Sequence, residues 1–240
     1  MSPPAPIAIL YEDASLVVVD KPSGVPVVPA PGTAEGECLR DRVAATIGTR
    51  TWVVHRLDRD TSGVVVFART AEAHRALSMA FEARDVGKQY LAFVRGCPDP
   101  PSGRIDVPLH DARRGRTRPA ARGEAGAREA ATGYGVVSVW RSGAAAISAV
   151  RAAPHTGRRH QIRVHLRAIG TPILADPIYG GGIAVPPFEG PASRLALHAA
   201  SIGFPHPVSG RRVVVDAPLP ADLAALDAWL DAHWTREAGS

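Results

Sequence analysis

The residues most able to do chemistry lie in one short polar segment, residues 55–63, which reads HRLDRDTSG between two apolar runs. A polar loop held at the ends of two buried strands is a good scaffold for catalysis, because the strands fix its position. The spacing alone leaves several interpretations open. Asp58 and Asp60 suit a glycosidase-like carboxylate pair, but also a surface turn whose aspartates cap local amides. A Ser/His/Asp hydrolase is disfavoured, because Ser62 is not part of a GxSxG turn.

A second segment, residues 155–170, reads HTGRRHQIRVHLRAIG and predicts a helix with a basic entry turn. Three arginines recur every fourth residue and share one helix face: Arg159, Arg163 and Arg167. That face is either solvated or an anion site, since a helix N-terminus favours negative charge. Three histidines are spaced by five residues: His155, His160 and His165. This spacing sends them to divergent faces and argues against a metal site.

Three further segments carry polar residues that we interpret as structural from their patterns alone. Tyr90 lies in the apolar run KQYLAFVRG, where a tyrosine is normally a half-buried strand residue. Asp176 and Tyr179 lie in the turn-rich run GTPILADPIYGG. His198 and His206 belong to a predicted strand–turn–strand near the C-terminus.

The composition indicates a globular chain with a basic surface. The 240 residues are 45% hydrophobic and 21% charged, and the formal net charge is +5. Lysine occurs only at Lys21 and Lys88, so nearly all of the positive charge is arginine, which suits phosphate and stacks on bases. A nucleic-acid partner is therefore permitted by the charge but not established by it.

Several protein classes are excluded by missing motifs. The two cysteines, Cys38 and Cys97, belong to no CxxC pair, which argues against zinc ribbons, iron–sulfur sites and a disulfide framework. The sequence contains no P-loop, no GxGxxG after a strand and no HExxH, so nucleotide-cofactor and zincin chemistry lack support. It also lacks a signal peptide and an apolar run long enough to span a membrane, which predicts a cytoplasmic protein.

The elements that must position these residues alternate irregularly between strands and helices. Helices are predicted over residues 37–47, 71–85, 160–170 and 219–234. Strands are predicted in IAILYED, SLVVVDKPSG, the apolar runs on either side of residues 55–63, KQYLAFVRG, TGYGVVSVW, AAISAVRA, LALHAASIGF and RRVVVDA. We therefore expect an α+β fold, with a largely antiparallel mixed sheet and flanking helices. No linker divides the chain, which predicts a single domain over residues 1–240.

Residues 110–129 interrupt this pattern. The segment reads HDARRGRTRPAARGEAGARE and has no large apolar residue, which predicts a mobile loop. It is either a solvated surface segment or a basic flap that becomes ordered on a polyanion.

Taken together and in this order, the motifs resemble the RluA family of RNA pseudouridine synthases. The segment DKPSGVPVVP resembles the family's first motif, and HRLDRDTSGVVVFART resembles its catalytic loop. The later motifs are matched by KQYLAFVRG, TGRRHQIRVHLRAIGTPILADPIYG and LHAASIGFPHP. Thr171 and Ala175 depart from the family, which usually has His and Gly at these positions of its GHPIxGD motif. The pattern begins near Ile7, so we expect a short form without the S4 RNA-binding domain.

The resemblance implies the pseudouridine synthase fold and a set of roles for individual residues. Asp58 matches the catalytic aspartate that attacks the target uridine. Tyr90 matches the tyrosine that packs under the base, and Arg163 matches the basic residue that pairs with the aspartate. Arg56 matches the arginine thought to fill the space of the flipped base. We assign four more motif residues to substrate or RNA binding: His55, Arg158, His160 and Gln161.

The resemblance also implies the reaction and its partner. Conversion of uridine to pseudouridine is an isomerisation, so no cofactor is expected, and the partner is structured RNA, either rRNA or tRNA. We expect neither a membrane nor an obligate protein partner. Two alternatives remain: an RNA-binding protein that keeps the fold without catalysis, and an RNA N-glycosidase that releases the base. The presence of Asp58, Tyr90 and Arg163 counts against the first of these.

Overall fold

The computed structural model describes residues 7–180 and 192–238. Its strands are β1 Ala8–Glu12, β2 Leu16–Lys21, β3 Trp52–Val53, β4 Ser62–Ala68, β5 Gly87–Arg95, β6 Ser102–Asp106, β7 Leu109–Asp111, β8 Thr117–Pro119, β9 Ala131–Ser142, β10 Ala145–Pro154, β11 Leu197–Pro205, β12 Arg212–Asp216 and β13 Thr235–Ala238. Its helices are α1 Leu39–Ile47, α2 Ala71–Glu82, α3 Gln161–Ala168 and α4 Ala221–His233. The strand pairs are mostly antiparallel, and the predicted α+β class is confirmed.

The chain packs into two compact units. The first comprises Met1–Lys88 and Ala199–Pro218, and the second comprises Gln89–His198 and Leu219–Ser240. The single-domain organisation predicted from the sequence stays a prediction.

In the first unit, the sheet order β1-β2-β4-β11-β12 places the most apolar strands at the centre. All seven residues of β4 are buried, and β2 is buried at every position except the half-buried Asp20. Such continuous apolar runs are expected of strands that are covered on both faces. The short strand β3 pairs with the end of β4 through Val53 and Phe67. β3 and β4 therefore fix both ends of the polar segment between them.

The start of α2 and the end of α1 are those that the sequence predicts. Thr70 Oγ1 accepts a hydrogen bond of 3.1 Å from the Ala73 N–H at the start of α2. Helix α1 ends at Gly48, whose φ of 70° is the left-handed conformation that glycine adopts readily. The sequence predicts that α2 extends to residue 85 with Gly87 beyond its end, but the helix ends at Glu82, and the residue in the left-handed conformation is Arg84, with φ 61°.

In the second unit, the strand order is β5-β10-β9-β13, with β6 also paired to β9. The core of this unit packs around the fully buried rings of Phe93 and Trp140, whose centroids are 6.0 Å apart. Three residues of α4 join this core, as their spacing predicts: Leu223, Leu226 and Leu230. Helix α3 contributes Ile162 and Leu166.

The prediction that residues 110–129 form an irregular mobile loop is wrong about its structure. The strands β7 and β8 form a hairpin, and Leu109 exchanges two backbone hydrogen bonds with Arg128, of 2.9 and 2.8 Å. The Thr117 N–H donates to the Tyr179 hydroxyl at 2.8 Å. The order comes from a partner about 60 residues away in sequence, so local composition could not predict it.

Within the described ranges, no helix is long and apolar enough to cross a membrane.

Candidate active site

Asp58 lies in the loop that connects β3 to β4 in the first unit. Asp58 is half-buried, its neighbour Leu57 is buried and Arg56 is exposed. The Asp58 carbonyl accepts a hydrogen bond of 3.2 Å from the N–H of the buried residue Thr61, which closes a turn. Leu57 and Thr61 thus anchor the loop on both sides of Asp58.

A buried lysine supports this loop from below. Lys21, at the end of β2, is fully buried. Its Nζ donates to three main-chain carbonyls: Val25 at 2.7 Å, Arg59 at 2.8 Å and Pro22 at 3.0 Å. A buried ammonium is costly without partners, and these three carbonyls supply them. The bonds also tie the KPSG turn to Arg59, the residue that follows Asp58.

The same turn makes three more hydrogen bonds to the loop. The Ser23 hydroxyl donates to the Asp60 carbonyl at 2.7 Å. Gly24 and Arg59 are joined twice, since the Gly24 N–H donates to the Arg59 carbonyl and Arg59 Nε donates to the Gly24 carbonyl, each at 2.9 Å. The backbone on the C-terminal side of Asp58 is therefore held by side chains and amides rather than by a strand.

His55 is held at the other end of the loop. Its Nε2 accepts a hydrogen bond of 3.0 Å from the Val66 N–H of β4, so Nε2 carries no proton. Its ring stacks on Phe81 of α2 with a centroid distance of 4.9 Å. Burial, together with the nearby charge of Lys88, lowers the pKa of His55 to about 3. His55 is therefore a neutral side chain that extends the hydrogen bonding of β4.

Gly63, the second residue of β4, follows the loop and lies against β11. Its φ is 112°, and a Cβ atom at this position would lie 2.2 Å from the Ala199 carbonyl oxygen. Because only glycine allows this approach of two backbones, the glycine of the TSG sequence is required by packing.

In the second unit, Tyr90 lies on β5, where it pairs in register with Ala152 of β10. It is half-buried and packs against the core of this unit. Its strand is thus fixed by a regular antiparallel ladder from Tyr90 to Arg95.

Arg163, on α3 of the same unit, is buried in an ion pair. Its Nε donates to Asp176 Oδ2 at 2.8 Å and its Nη2 donates to Asp176 Oδ1 at 2.7 Å. Its guanidinium carbon lies 5.1 Å from the centroid of the Tyr179 ring. Burial opposes the charged form of Asp176, but hydrogen bonds from Arg163 and from two backbone amides hold its pKa below the ordinary value. Arg163 therefore does not lie on a solvated helix face, and Asp176 holds its guanidinium plane.

Gln161 makes all of its side-chain hydrogen bonds inside the protein. Its Oε1 accepts from the Thr156 hydroxyl at 2.6 Å and from the Arg158 N–H at 3.0 Å. Its Nε2 donates to the Ala131 carbonyl at 2.9 Å and to the Thr132 hydroxyl at 3.0 Å. An amide has two N–H donors and one oxygen with two lone pairs, so these four bonds use its full hydrogen-bonding capacity. Gln161 thereby holds the turn before α3.

That turn presents the two remaining residues of the predicted set. Arg158 is half-buried, and its Nε donates to the Glu129 carbonyl at 3.2 Å. His160 has the left-handed conformation with φ 53° at the start of α3, and its Nδ1 lies 2.8 Å from the Tyr179 hydroxyl.

The predicted site residues are thus divided between the units. The first unit contains His55, Arg56 and Asp58. The second contains Tyr90, Arg158, His160, Gln161 and Arg163. In neither described unit do three or more His, Cys, Asp or Glu side chains form a group that could hold a metal ion.

Comparisons with known proteins identify the family. The family model described as RNA pseudouridylate synthase matches residues 15–168, which is more than half of the chain. The chain is 40% identical over 236 residues to ribosomal large subunit pseudouridine synthase D of Xanthomonas campestris pv. campestris, covering 92% of this chain and 68% of the relative. It is 36% identical to an RNA pseudouridine synthase of Aquifex aeolicus, covering 95% and 74%. The chain belongs to the RNA pseudouridylate synthase family.

Solved structures of the family agree with this assignment. The human RNA pseudouridylate synthase domain containing 4 protein superimposes with a TM-score of 0.76 at 26% identity and covers 93% of each chain. The human domain containing 1 protein gives the same TM-score at 27% identity, covering 100% of this chain and 93% of its own. The resemblance to the RluA family is confirmed, and this pseudouridylate synthase is an isomerase that converts uridine to pseudouridine in RNA.

The sequence analysis missed the residues that support the loop of this pseudouridylate synthase. Lys21 and Ser23 entered only as part of a matching motif, but they make four of the hydrogen bonds that hold the turn and the loop. A signal was present, because Lys21 is one of only two lysines in a chain that otherwise uses arginine for positive charge. A compact ammonium with three donors fits among three carbonyls, whereas a planar guanidinium does not.

Proposed function

We propose that this enzyme isomerises uridine in ribosomal RNA, with the Asp58 carboxylate as the nucleophile. The choice of rRNA is supported by relatives named ribosomal large subunit pseudouridine synthase D, which are 34–40% identical to this chain. A tRNA substrate is the other candidate.

The proposed reaction needs only protein side chains and a uridine that has left the RNA stack. A base inside RNA must be flipped out before a side chain can reach its glycosidic bond, and Arg56 is proposed to fill the vacated space. The ionised Asp58 carboxylate attacks the uridine and forms a transient ester bond, and the bond between N1 and C1′ breaks. The uracil then turns so that C5 bonds to C1′, and the ester bond to Asp58 breaks again, which regenerates the free carboxylate. C5 loses its proton and N1 gains one, which leaves the composition of the RNA unchanged.

The other residues support these steps. A carboxylate is a nucleophile only when it is ionised, and a guanidinium favours that form; we assign this role to Arg163. Tyr90 is proposed to pack under the uracil and to take part in the proton transfer.

The observation that carries the proposal is the restrained loop around Asp58. The buried Leu57 and Thr61 flank it, and Lys21, Ser23 and Gly24 hold the backbone of the two residues that follow. A nucleophile held in one orientation before the substrate arrives gains much of the advantage of an intramolecular reaction. A surface turn with no catalytic task does not require a buried lysine beneath it.

The proposal is tested with purified enzyme on 23S rRNA and on tRNA transcripts, by chemical mapping of pseudouridine. We expect the wild-type enzyme to modify defined uridines in rRNA, and Asp58→Asn to lose at least about three orders of magnitude in rate. Asp60→Asn is the matched control, since it lies in the same turn and uses its backbone carbonyl, not its carboxylate, to bind Ser23.

Substantial turnover by Asp58→Asn would contradict the nucleophile assignment. Release of free uracil would instead indicate an N-glycosidase, and RNA binding without any product would indicate a non-catalytic RNA-binding protein.

A further inference from the structure

A small cavity of about 200 Å³ opens beside the candidate catalytic loop, entirely within the first unit. Its walls include Arg42 from α1, Arg59 from the catalytic loop, Glu37, and backbone at Gly24 and Gly32. Two guanidinium groups and one carboxylate give these walls a net charge of +1. The proposed function uses none of these side chains.

Arg59 connects the cavity to the chemistry, because it follows Asp58 directly in the chain. Its side chain is exposed, yet its Nε is held by the Gly24 carbonyl at 2.9 Å. When a guanidinium is anchored through Nε, its two terminal nitrogens form a fork in the same plane that can bind an oxyanion. The Gly24 contact therefore fixes this fork at the wall of the cavity.

The remaining walls supply recognition through side chains rather than through a helix end. The first amides of α1 are already used, since the Leu39 N–H donates to Pro26 at 2.8 Å and the Arg40 N–H donates to Val27 at 3.1 Å. Thr33 lines the cavity, and its buried Oγ1 has no hydrogen-bond partner among the described residues.

We propose that this cavity binds one phosphodiester group of the RNA strand that carries the target uridine. The inference rests on the proposed function, because a strand whose base reaches Asp58 must pass its own backbone close to Arg59. The charge of the walls matches a phosphodiester, which carries one negative charge, better than a doubly charged free phosphate. Arg59 would thereby connect the positioning of the backbone to the position of the nucleophile.

The test measures how the affinity for RNA depends on salt, for Arg42→Gln, Arg59→Gln and the double variant. The probe is a fluorescently labelled oligouridine of about ten nucleotides. Because each neutralised phosphate of a single strand contributes about 0.7 to the log–log slope, the double variant should lose about 0.7. It should not lose twice that value, since both arginines contact one phosphate.

The matched control is Arg75→Gln, which removes one exposed charge from α2 and none from the cavity walls. It should leave the slope unchanged. Arg59→Lys keeps the charge and should keep most of the slope. If Arg59→Gln does not fold, Arg42→Gln alone carries the test, and an unchanged slope in that folded variant would also overturn the phosphate site. An unchanged slope in the folded double variant would overturn the phosphate site.

Glu37→Gln gives an independent test, because it removes the negative charge from the walls. For a phosphate ligand it should tighten binding, by about threefold. Weaker binding would show that Glu37 accepts a hydrogen bond from a base and would overturn the assignment. Pseudouridine formation by the wild-type enzyme is measured separately. Its absence would overturn the proposed function, whereas an active wild type with an unaltered slope in the double variant would overturn only the phosphate site.

Discussion

Arg163 and Asp176 form a buried bidentate ion pair that joins helix α3 to the turn that follows it. The side chain of Arg163 is 3% exposed and that of Asp176 is fully buried. The carboxylate also accepts hydrogen bonds from the N–H groups of Ile178 at 2.9 Å and Tyr179 at 3.0 Å. Asp176 is therefore satisfied by four donors, and it sets the plane in which the guanidinium of Arg163 lies.

We expect Asp176→Asn to lower the free energy of unfolding by about 3 kcal/mol, because the buried charge of Arg163 loses this carboxylate. Arg163→Met should cost a similar amount, since it strands the charge of Asp176. The double variant should be more stable than the sum of the single variants predicts, because neither charge remains. Urea denaturation of the four proteins measures this cycle, and additive losses would contradict an energetic coupling between the two side chains.

His55 should make the stability of the enzyme depend on acid. In the unfolded chain this imidazole takes up a proton near pH 6.5, whereas in the folded chain its pKa is about 3. Unfolding is therefore coupled to proton uptake between these pH values, so this contribution to stability is complete above pH 6.5 and decreases as the pH falls. The decrease should reach about 1.4 kcal/mol per pH unit.

The measurement compares the free energy of unfolding as a function of pH for the wild type and for His55→Gln. Glutamine offers an oxygen to the Val66 N–H but does not titrate, so the slope between pH 6.5 and 4 should become shallower. An identical slope in both proteins would show that His55 is not held neutral in the folded state.

Tyr90→Phe separates the two roles proposed for the tyrosine. If the ring packs under the uracil and the hydroxyl handles a proton, the variant should bind RNA with nearly unchanged affinity but lose most of the single-turnover rate, by about 100-fold or more. Full activity of the phenylalanine variant would show that only the ring is needed. Thermal unfolding of the variant controls for a change in the packing of β5.

Ala175→Gly should stabilise the protein. Ala175 has φ 51°, a left-handed conformation that costs an L-residue about 1 kcal/mol or more. The RluA family usually has glycine at this position. Glycine increases the entropy of the unfolded chain by up to about 1 kcal/mol, so the net gain should be modest, about 0.5 kcal/mol. A lower melting temperature in the variant would contradict strain at Ala175.

Local patterns in the sequence predicted the elements whose signals lie within a few residues. Thr70 caps the start of α2 and Gly48 caps the end of α1. The core-facing residues of α4 follow from their helical spacing: Leu223, Leu226 and Leu230. Caps and helical spacing are local properties of the sequence. The strands β6 and β13 were missed. Both pair with β9, from which each is distant in sequence, and neither shows a clear alternation of apolar and polar residues.

The sequence by itself determined the family of this protein and thereby its overall reaction, because the motif around Asp58 and the motif around Arg163 are long enough to be matched residue by residue. Only the tertiary structure decided what holds those residues. Arg163 is buried in an ion pair with Asp176, and the side chain of Gln161 makes its hydrogen bonds inside the protein. His55 is a neutral side chain that accepts a hydrogen bond from β4, and Lys21 lies under the loop of Asp58. Each of these depends on partners that the fold brings together from elsewhere in the chain. Residue type and spacing report which groups are available, but the partner of a buried polar group is a property of the packed structure.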